Sequence, residues 1–225
     1  MANASVAFSS ARTYLNDTSS QIWTDAVLLP YLVEAHRDLL LVLWLNGLPV
    51  LREKSAVIDI AALATTVTLP SDLIEPIWIK ERADGSTSNN DWVPMTETEF
   101  EPDIEKVETL RYWCWREQAI NLVGATTARE VLLRYWKSLA EPTGASSALG
   151  FIFAEHFLGP QTAGYAAGSV GNTSLAAELL FVNGQNAGIA GSKLDMIIRA
   201  NIKGQQNLPA RRIPYRRFAR SRLLL

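Results

Sequence analysis

Between Thr24 and Gly47 apolar residues recur at helical spacing. Val27, Leu28, Tyr31, Leu32, Ala35, Leu39, Val42 and Leu43 share one side of "WTDAVLLPYLVEAHRDLLLVLWLNG". Thr24 or Asp25 can cap the start, and Gly47 suits the left-handed position that closes a helix. Pro30 predicts a kink or a late start, because it lacks the N–H that a helix interior uses. Leu40, Leu41, Trp44 and Leu45 widen the apolar face beyond one stripe, which predicts neighbours on two sides. Upstream, "SARTYLND" predicts a short helix capped by Ser10, with Ala11, Tyr14 and Leu15 inward and a stop at Asn16-Asp17.

At Leu48 the period changes. "PVLREKSAVIDI", "ATTVTLP", "EPIWIKERADGS", "DWVPMTE", "TLRYWCWREQAINLVG" and "REVLLRYWK" are short runs rich in β-branched and aromatic residues, separated by turn-forming residues. Alternation puts Trp78 and Lys80 on one face, with Ile77 and Ile79 on the other. "ADGSTSNND" reads as a polar hairpin tip with Asp84-Gly85 as its turn signal. Five to seven strands at this spacing predict a small antiparallel sandwich or barrel.

Helical patterning returns after "LAEPTGASS". "ALGFIFAEHFLG" predicts one short helix ending before Pro160, and the Ala- and Gly-rich "QTAGYAAGSVG" carries a weaker signal. From Thr173 to about Gln206, Leu175, Leu179, Val182, Ile189, Leu194, Ile197 and Ile198 supply an apolar side. Gly184, Gly188 and Gly191 share one face of this stretch. They predict either a break in the helix or a second backbone packed closely against it. The fold class that follows is α+β: a helical bundle built from both chain ends (residues 1–48 and 141–207), an inserted antiparallel β domain (49–140), and an extended C-terminal arm (208–225).

Composition changes little in this picture. A chain of 225 residues with 48% apolar and 20% charged residues is ordinary globular material. A single cysteine, Cys114, excludes an internal disulfide framework. The first twenty residues lack a basic head followed by an apolar run, so no secretory signal is expected. The longest apolar run, "LLLVLWL", falls far short of the ~20 residues a bilayer crossing needs. A protein kept in a reducing compartment is the expectation.

Charge distribution changes the picture more. The net formal charge is -2, yet the last eighteen residues, "LPARRIPYRRFARSRLLL", hold six arginines and no carboxylate. The preceding 207 residues therefore carry 15 basic against 23 acidic side chains, a sum of -8. Ends of opposite sign predict that the arm seeks an acidic surface, one candidate being another copy of the chain.

Chemistry-bearing patterns are sparse. His36 and His156 sit on predicted helices without ligand-spaced partners, and core or surface roles explain them. The acidic run "ETEFEPDIEKVE", Glu97 to Glu108, reads as a linking loop that forms a solvated face or a partner patch. No serine lies in a GxSxG elbow and no glycine string resembles a phosphate loop. Cys114 reads as a buried, inert thiol. Trp78, Trp92, Trp113, Trp115 and Trp136 could stack bases or sugars if exposed, but the surrounding sequence shows little excess of Lys or Arg, and core roles are expected for most. The expectation is a non-enzyme with no catalytic residue, no cofactor and no metal.

Three stretches carry a family resemblance: "ARTYLNDTSSQIWTDAVLLPYLVEAHRDL", "TTVTLPSDLIEPIWIKER" and "KLDMIIRANIKGQQNLPARRIPYRRF". Together they resemble the head-to-tail adaptor, or connector, proteins of tailed bacteriophages, in particular the larger adaptors of short-tailed phages with a β insertion in a helical bundle. "TLPSDL" and "RRIPYR" are the most recognisable pieces. The resemblance implies a structural virion protein, assembled in the host cytoplasm. It further implies a ring of about twelve copies below the portal protein. Such a ring extends the DNA channel, lets DNA pass without sequence-specific binding, and offers a platform to tail or nozzle proteins.

On this reading the arm binds an acidic protein surface on a neighbour or the portal. Arg211, Arg212, Arg216, Arg217, Arg220 and Arg222 carry the charge, and Tyr215, Phe218, Leu223, Leu224 and Leu225 bury beside them. Arginine suits the task because its planar head makes two-point bonds to carboxylates. Two other readings of the arm remain open at this stage: neutralising nucleic-acid phosphates, and lying on an anionic membrane with the leucines inserted. The adaptor reading itself assigns no membrane partner.

Overall fold

A computed structural model describes residues 3–100, 102–151, 153–180 and 188–206. The expectations placed on the arm and on Gly184 lie outside these residues. The described chain is α+β and divides into two compact units. One comprises described residues of Met1–Leu39 and Pro142–Leu225; the other is Leu40–Glu141. The helices are α1 (Ala4–Tyr14), α2 (Asp25–Leu45), α3 (Ala154–Ser169), α4 (Thr173–Leu179) and α5 (Gly188–Gln206). The division falls within α2. None of the described helices is long and apolar enough to cross a membrane.

In the helical unit, α1 begins six residues before the expected Ser10 cap. Ala4, Ala7, Phe8 and Ala11 are buried at i, i+3, i+4 and i+7, a stripe of small residues that short-range capping logic overlooks. The start of α1 is tied down by a backbone ladder to the segment before α3, with Ala4 N–H bonded to Ser147 O (2.9 Å) and Ser5 N–H to Ala145 O (2.9 Å). The helix stops where expected, Asn16 turning into the left-handed region at φ 58°.

The loop after α1 is organised by one buried carboxylate. Asp17 accepts backbone N–H bonds from Trp23 (2.7 Å), Ile22 (2.9 Å) and Gln21 (3.1 Å). These donors, Trp23 foremost, hold its pKa below the ordinary 3.8 against the opposing effect of burial. Thr24 then opens α2, whose first bonds run from Val27 and Leu28 N–H to the Thr24 carbonyl. Thus α2 does not start late. Pro30 lies inside it, and the Ala26 carbonyl lacks the N–H that a non-proline residue would supply.

Pro160 likewise lies inside a helix. The two segments expected on either side of it are one element, α3, buried around most of its circumference from Ala154 to Ala167. Its glycines mark close packing, whereas the sequence suggested weakness. A Cβ on Gly159 would stand 2.3 Å from Ser10 Oγ, and one on Gly164 2.7 Å from the Leu180 side chain. Helix α1 and the end of α4 can approach α3 this closely only because these positions are small. Within the same unit Asp38 accepts hydrogen bonds from Tyr165 Oη and from Gln161 Nε2 (3.0 Å). Burial, and then this carboxylate, push the Tyr165 phenol up to about 12.

The long helix expected from Thr173 is broken. Asn172 caps α4 through Leu175 N–H (3.2 Å), the helix ends at Leu179, and α5 starts at Gly188 with φ 86°. A Cβ at Gly188 would lie 2.5 Å from the Leu180 carbonyl oxygen. The break and the close backbone approach therefore coincide at one glycine.

The β unit contains two sheets. In the larger, β1 (Arg52–Lys54), β8 (Arg129–Lys137), β3 (Leu73–Ala83) and β4 (Val93–Pro94) lie side by side, with β2 (Ile58–Ile60) also paired to β8. All its pairings are antiparallel. The smaller holds β5 (Thr96–Glu97), β6 (Tyr112–Arg116) and β7 (Ala119–Leu122), and here β5 runs parallel to β6, a departure from the expected all-antiparallel arrangement. The β4–β5 connection is a single residue, Met95, whose buried side chain carries the chain from one sheet to the other without a reversal. The run "ATTVTLP" forms no strand among the described residues. It contributes an isolated bridge, Thr66 to Asn121, and the buried side chain of Val67 to the core.

The two sheets enclose one core. Ile79, Val131, Leu133 and Tyr135 of the larger sheet meet Trp113, Ile120 and Leu122 of the smaller, with Leu110 beside them. Burying side chains of this size stabilises by about 1.5–3 kcal/mol each. Gly124 fits where a Cβ would lie 2.8 Å from both the carbonyl carbon and oxygen of Leu63, and Leu63 is itself left-handed at φ 65°.

Two outcomes follow. Gly124→Ala is expected to cost about 1–3 kcal/mol by urea unfolding, since the obstructing atoms are backbone and cannot rotate away. Asp17→Asn is expected to lower Tm at neutral pH. Because the folded pKa of Asp17 is depressed, its contribution is complete above the ordinary carboxylate value and lost as pH falls towards the folded one. Wild-type and variant Tm should therefore converge as pH falls below the ordinary carboxylate range towards the depressed folded value.

Candidate partner-binding surfaces

The residues assigned to partner binding from sequence, Arg211, Arg212, Tyr215, Arg216, Arg217, Phe218, Arg220, Arg222, Leu223, Leu224 and Leu225, all lie outside the described residues. The surfaces that can be built from described side chains are in the β unit.

Cross-strand register decides what the outer face of the larger sheet presents. Trp78 pairs with Arg134, Lys80 with Leu132 and Arg82 with Glu130. Arg52 pairs with Trp136 and Lys54 with Arg134. Directly paired residues share a face, so these side chains stand together, opposite the core face of Ile79, Val131 and Leu133. The tryptophans mark the change from expectation. Only Trp113 is a core residue outright, and Trp115 packs against the core while half-buried. The other three each carry a cation on the ring: Arg52 over Trp136 (4.6 Å to the centroid), Lys80 over Trp78 (5.3 Å) and Arg82 over Trp92 (4.4 Å). The signal was present as alternation in "WIKER", "REK" and "RYW". Counting Lys and Arg over the whole β region concealed it, because the count also took in the carboxylates at the ends of this face and in the segment after β5.

Ion pairs divide this sheet into satisfied and unsatisfied ends. Glu130 accepts from Arg82 Nε (2.5 Å) and from Gly85 N–H (3.0 Å), which lower its pKa, Arg82 foremost. Asp59 and Asp84 stand near it, one oxygen of each of the three lying within 4.8 Å of the others. On the core side Arg129 pairs with Glu81 at 2.6 Å, the carboxylate only 2% exposed. Lys137 pairs with Glu53. By contrast, among the described residues Arg52, Lys54, Lys80 and Arg134 form no ion pair. The Arg52 guanidinium is driven below its ordinary pKa by burial and by the Arg134 charge beside it.

A second surface is the segment between β5 and β6. Glu99, Asp103, Glu105 and Glu108 are exposed there, together with Phe100 (66% exposed) and Ile104 (42%). Thr126 N–H and Thr127 Oγ1 hold its far end by bonding the carbonyls of Val107 (2.8 Å) and Glu108 (2.9 Å). The expected linking loop is therefore an anchored acidic projection. A third is the part of α2 in the β unit, where Leu41 (52% exposed) and Leu45 (68%) lie one helical turn apart. Of the remaining candidates, His36 is buried, His156 is exposed and stacked on Phe153, and Cys114 is buried in β6.

A family model described as "SU10 adaptor protein" matches residues 3–162, which include the whole β unit together with α1, α2 and the first half of α3. No curated protein matches the chain.

The Glu81–Arg129 pair clamps one end of β3 to β8. Arg129→Met should leave a buried carboxylate without its partner and cost about 3–5 kcal/mol in urea unfolding, and the double variant with Glu81→Met should recover most of the loss.

Proposed function

The chain belongs to the SU10 adaptor family, and is a phage head-to-tail adaptor; on that premise we propose that it is a structural virion protein forming a ring of twelve copies below the portal. The ring extends the DNA channel and gives tail or nozzle proteins a platform. The protein is not an enzyme: its work is shape, contact and assembly. The observation that carries this reading is the family match, whose span of residues 3–162 takes in α1, α2, the β unit and the first half of α3.

Two features of the chain support it. Apolar side chains exposed on one subunit, Leu41 and Leu45 among them, are what a ring interface would cover. The separation of a cationic arm from a -8 body gives like subunits complementary ends. In the ring the arm, from Arg211 to Leu225, straps a neighbour or the portal. DNA passes an acidic body that offers it no continuous basic track.

Mass measurement and negative-stain imaging of the protein with and without portal test the proposal. An end-on ring in the presence of portal is expected; a monomer in both samples overturns it. Deleting residues 208–225 should leave Tm within a few degrees of wild type while abolishing stable association with portal, read by sedimentation. A truncated protein that still binds as tightly as the intact chain removes the arm from the interface.

A further inference from the structure

The outer face of the larger sheet and the acidic segment between β5 and β6 are surfaces of opposite charge in the same unit. On the sheet, Arg52, Lys54, Lys80 and Arg134 surround Trp78 and Trp136. From Leu132 to Trp136 this basic stretch runs about 13 Å along β8. It is bounded at one end by Asp59, Asp84 and Glu130, and at the other by Glu75, opposite Trp136. Four cations without a carboxylate partner, Arg52 and Arg134 among them on neighbouring strands, form a surface that an anionic partner would relieve.

Among the described residues no ion pair joins the acidic segment to that face within one subunit. The segment leads from β5 into β6, in the smaller sheet, and that sheet packs on the core side of the larger one through Trp113, Ile120 and Leu122. The same chain thus carries a bounded basic-aromatic face in one layer and an exposed acidic segment in the other. Such a pair of unlike patches suits a head-to-tail contact, the kind that closes into a ring when the rotation between copies allows it.

Resting on the ring reading above, we infer that the acidic segment Glu99–Glu108 of one subunit docks on the Trp78/Arg134/Trp136 face of the next. Glu99, Asp103 and Glu105 meet the four cations, and Phe100 and Ile104 cover the tryptophan rings that the cations leave open. Duplex DNA fits this face less well. Carboxylates at both ends interrupt a phosphate track, and DNA gives Phe100 and Ile104 no role.

Charge reversal in the full-length protein tests the contact. One variant carries Arg52→Glu and Arg134→Glu; the other carries Glu99→Lys, Asp103→Lys and Glu105→Lys. Each alone should assemble on portal at least about tenfold more weakly than wild type in sedimentation velocity. Mixed in equal amounts, the two should recover ring formation, because in an alternating ring the reversed face of one variant meets the reversed segment of the other, and the next contact joins the two unaltered surfaces. Recovery also shows that both are folded, which near-ultraviolet circular dichroism of the tryptophans checks separately.

Reversed variants that form rings as well as wild type overturn the contact and leave the ring reading intact. So do two folded variants that fail singly and stay apart when mixed. A wild-type protein that stays monomeric with portal overturns both. Binding of a duplex oligonucleotide that is lost in the Arg52→Glu/Arg134→Glu variant, with ring formation unchanged, replaces the neighbouring subunit with DNA.

Discussion

Strand β8 pairs with three others, and its alignment with β3 sets the chemistry of both faces of the larger sheet. In the observed register Val131, Leu133 and Tyr135 enter the core beside Ile79, while Arg134 and Trp136 face outward beside Trp78. A slip of one residue would bring Arg134 into the core and send Leu133 to solvent. Several features oppose such a slip. Arg129 and Glu81 lock one end, Arg82 and Glu130 the outer side, and Tyr135 Oη donates to Asp72 at 2.9 Å near the other end. Burial, and then Asp72, push the Tyr135 phenol up to about 12. Pro76 is accommodated where the pairing is irregular, between Pro76/Tyr135 and Trp78/Arg134, so its missing N–H costs no regular ladder bond.

The helical unit is governed by a different constraint, the smallness of α3. Gly159 and Gly164 admit Ser10 and Leu180 at distances no β-carbon tolerates. Proline 160 is accepted because the helix is held by packing around it more than by its own propensity. Some polar groups of this region are matched, as where Tyr31 Oη donates to Ser169 Oγ at 2.9 Å and Asp38 collects Tyr165 and Gln161, while Thr162 Oγ1 is buried without a hydrogen-bond partner among the described residues.

What the sequence disclosed follows from these two constraints. Period and alternation are local, so α2, the switch to strands at Leu48, the shared face of Trp78 and Lys80, and the projection after β5 were all legible. Tertiary overrides were not. Pro160 read as helix-ending and the glycines of α3 as a weak helical signal because their compensation is tertiary, lying in α1, remote in sequence, and in the packing of α4. "ATTVTLP" has strand composition, but it finds only one bridging partner, Asn121. The tryptophans read as core because composition cannot say which face of a strand is covered. The arm remains legible in sequence alone, and the basic sheet face needed the register of β1, β3 and β8.

The pairing of Ala4 and Ser5 with Ala145 and Ser147 has a consequence for how the protein is made. A ribosome releases the first helix more than a hundred residues before the stretch that completes its surroundings has been synthesised. Residues 40–141 form a contiguous stretch that can fold during this interval, as domains generally do on emerging chains. The opening alanines and Phe8 must meanwhile wait uncovered, and a nascent-chain chaperone would find them there.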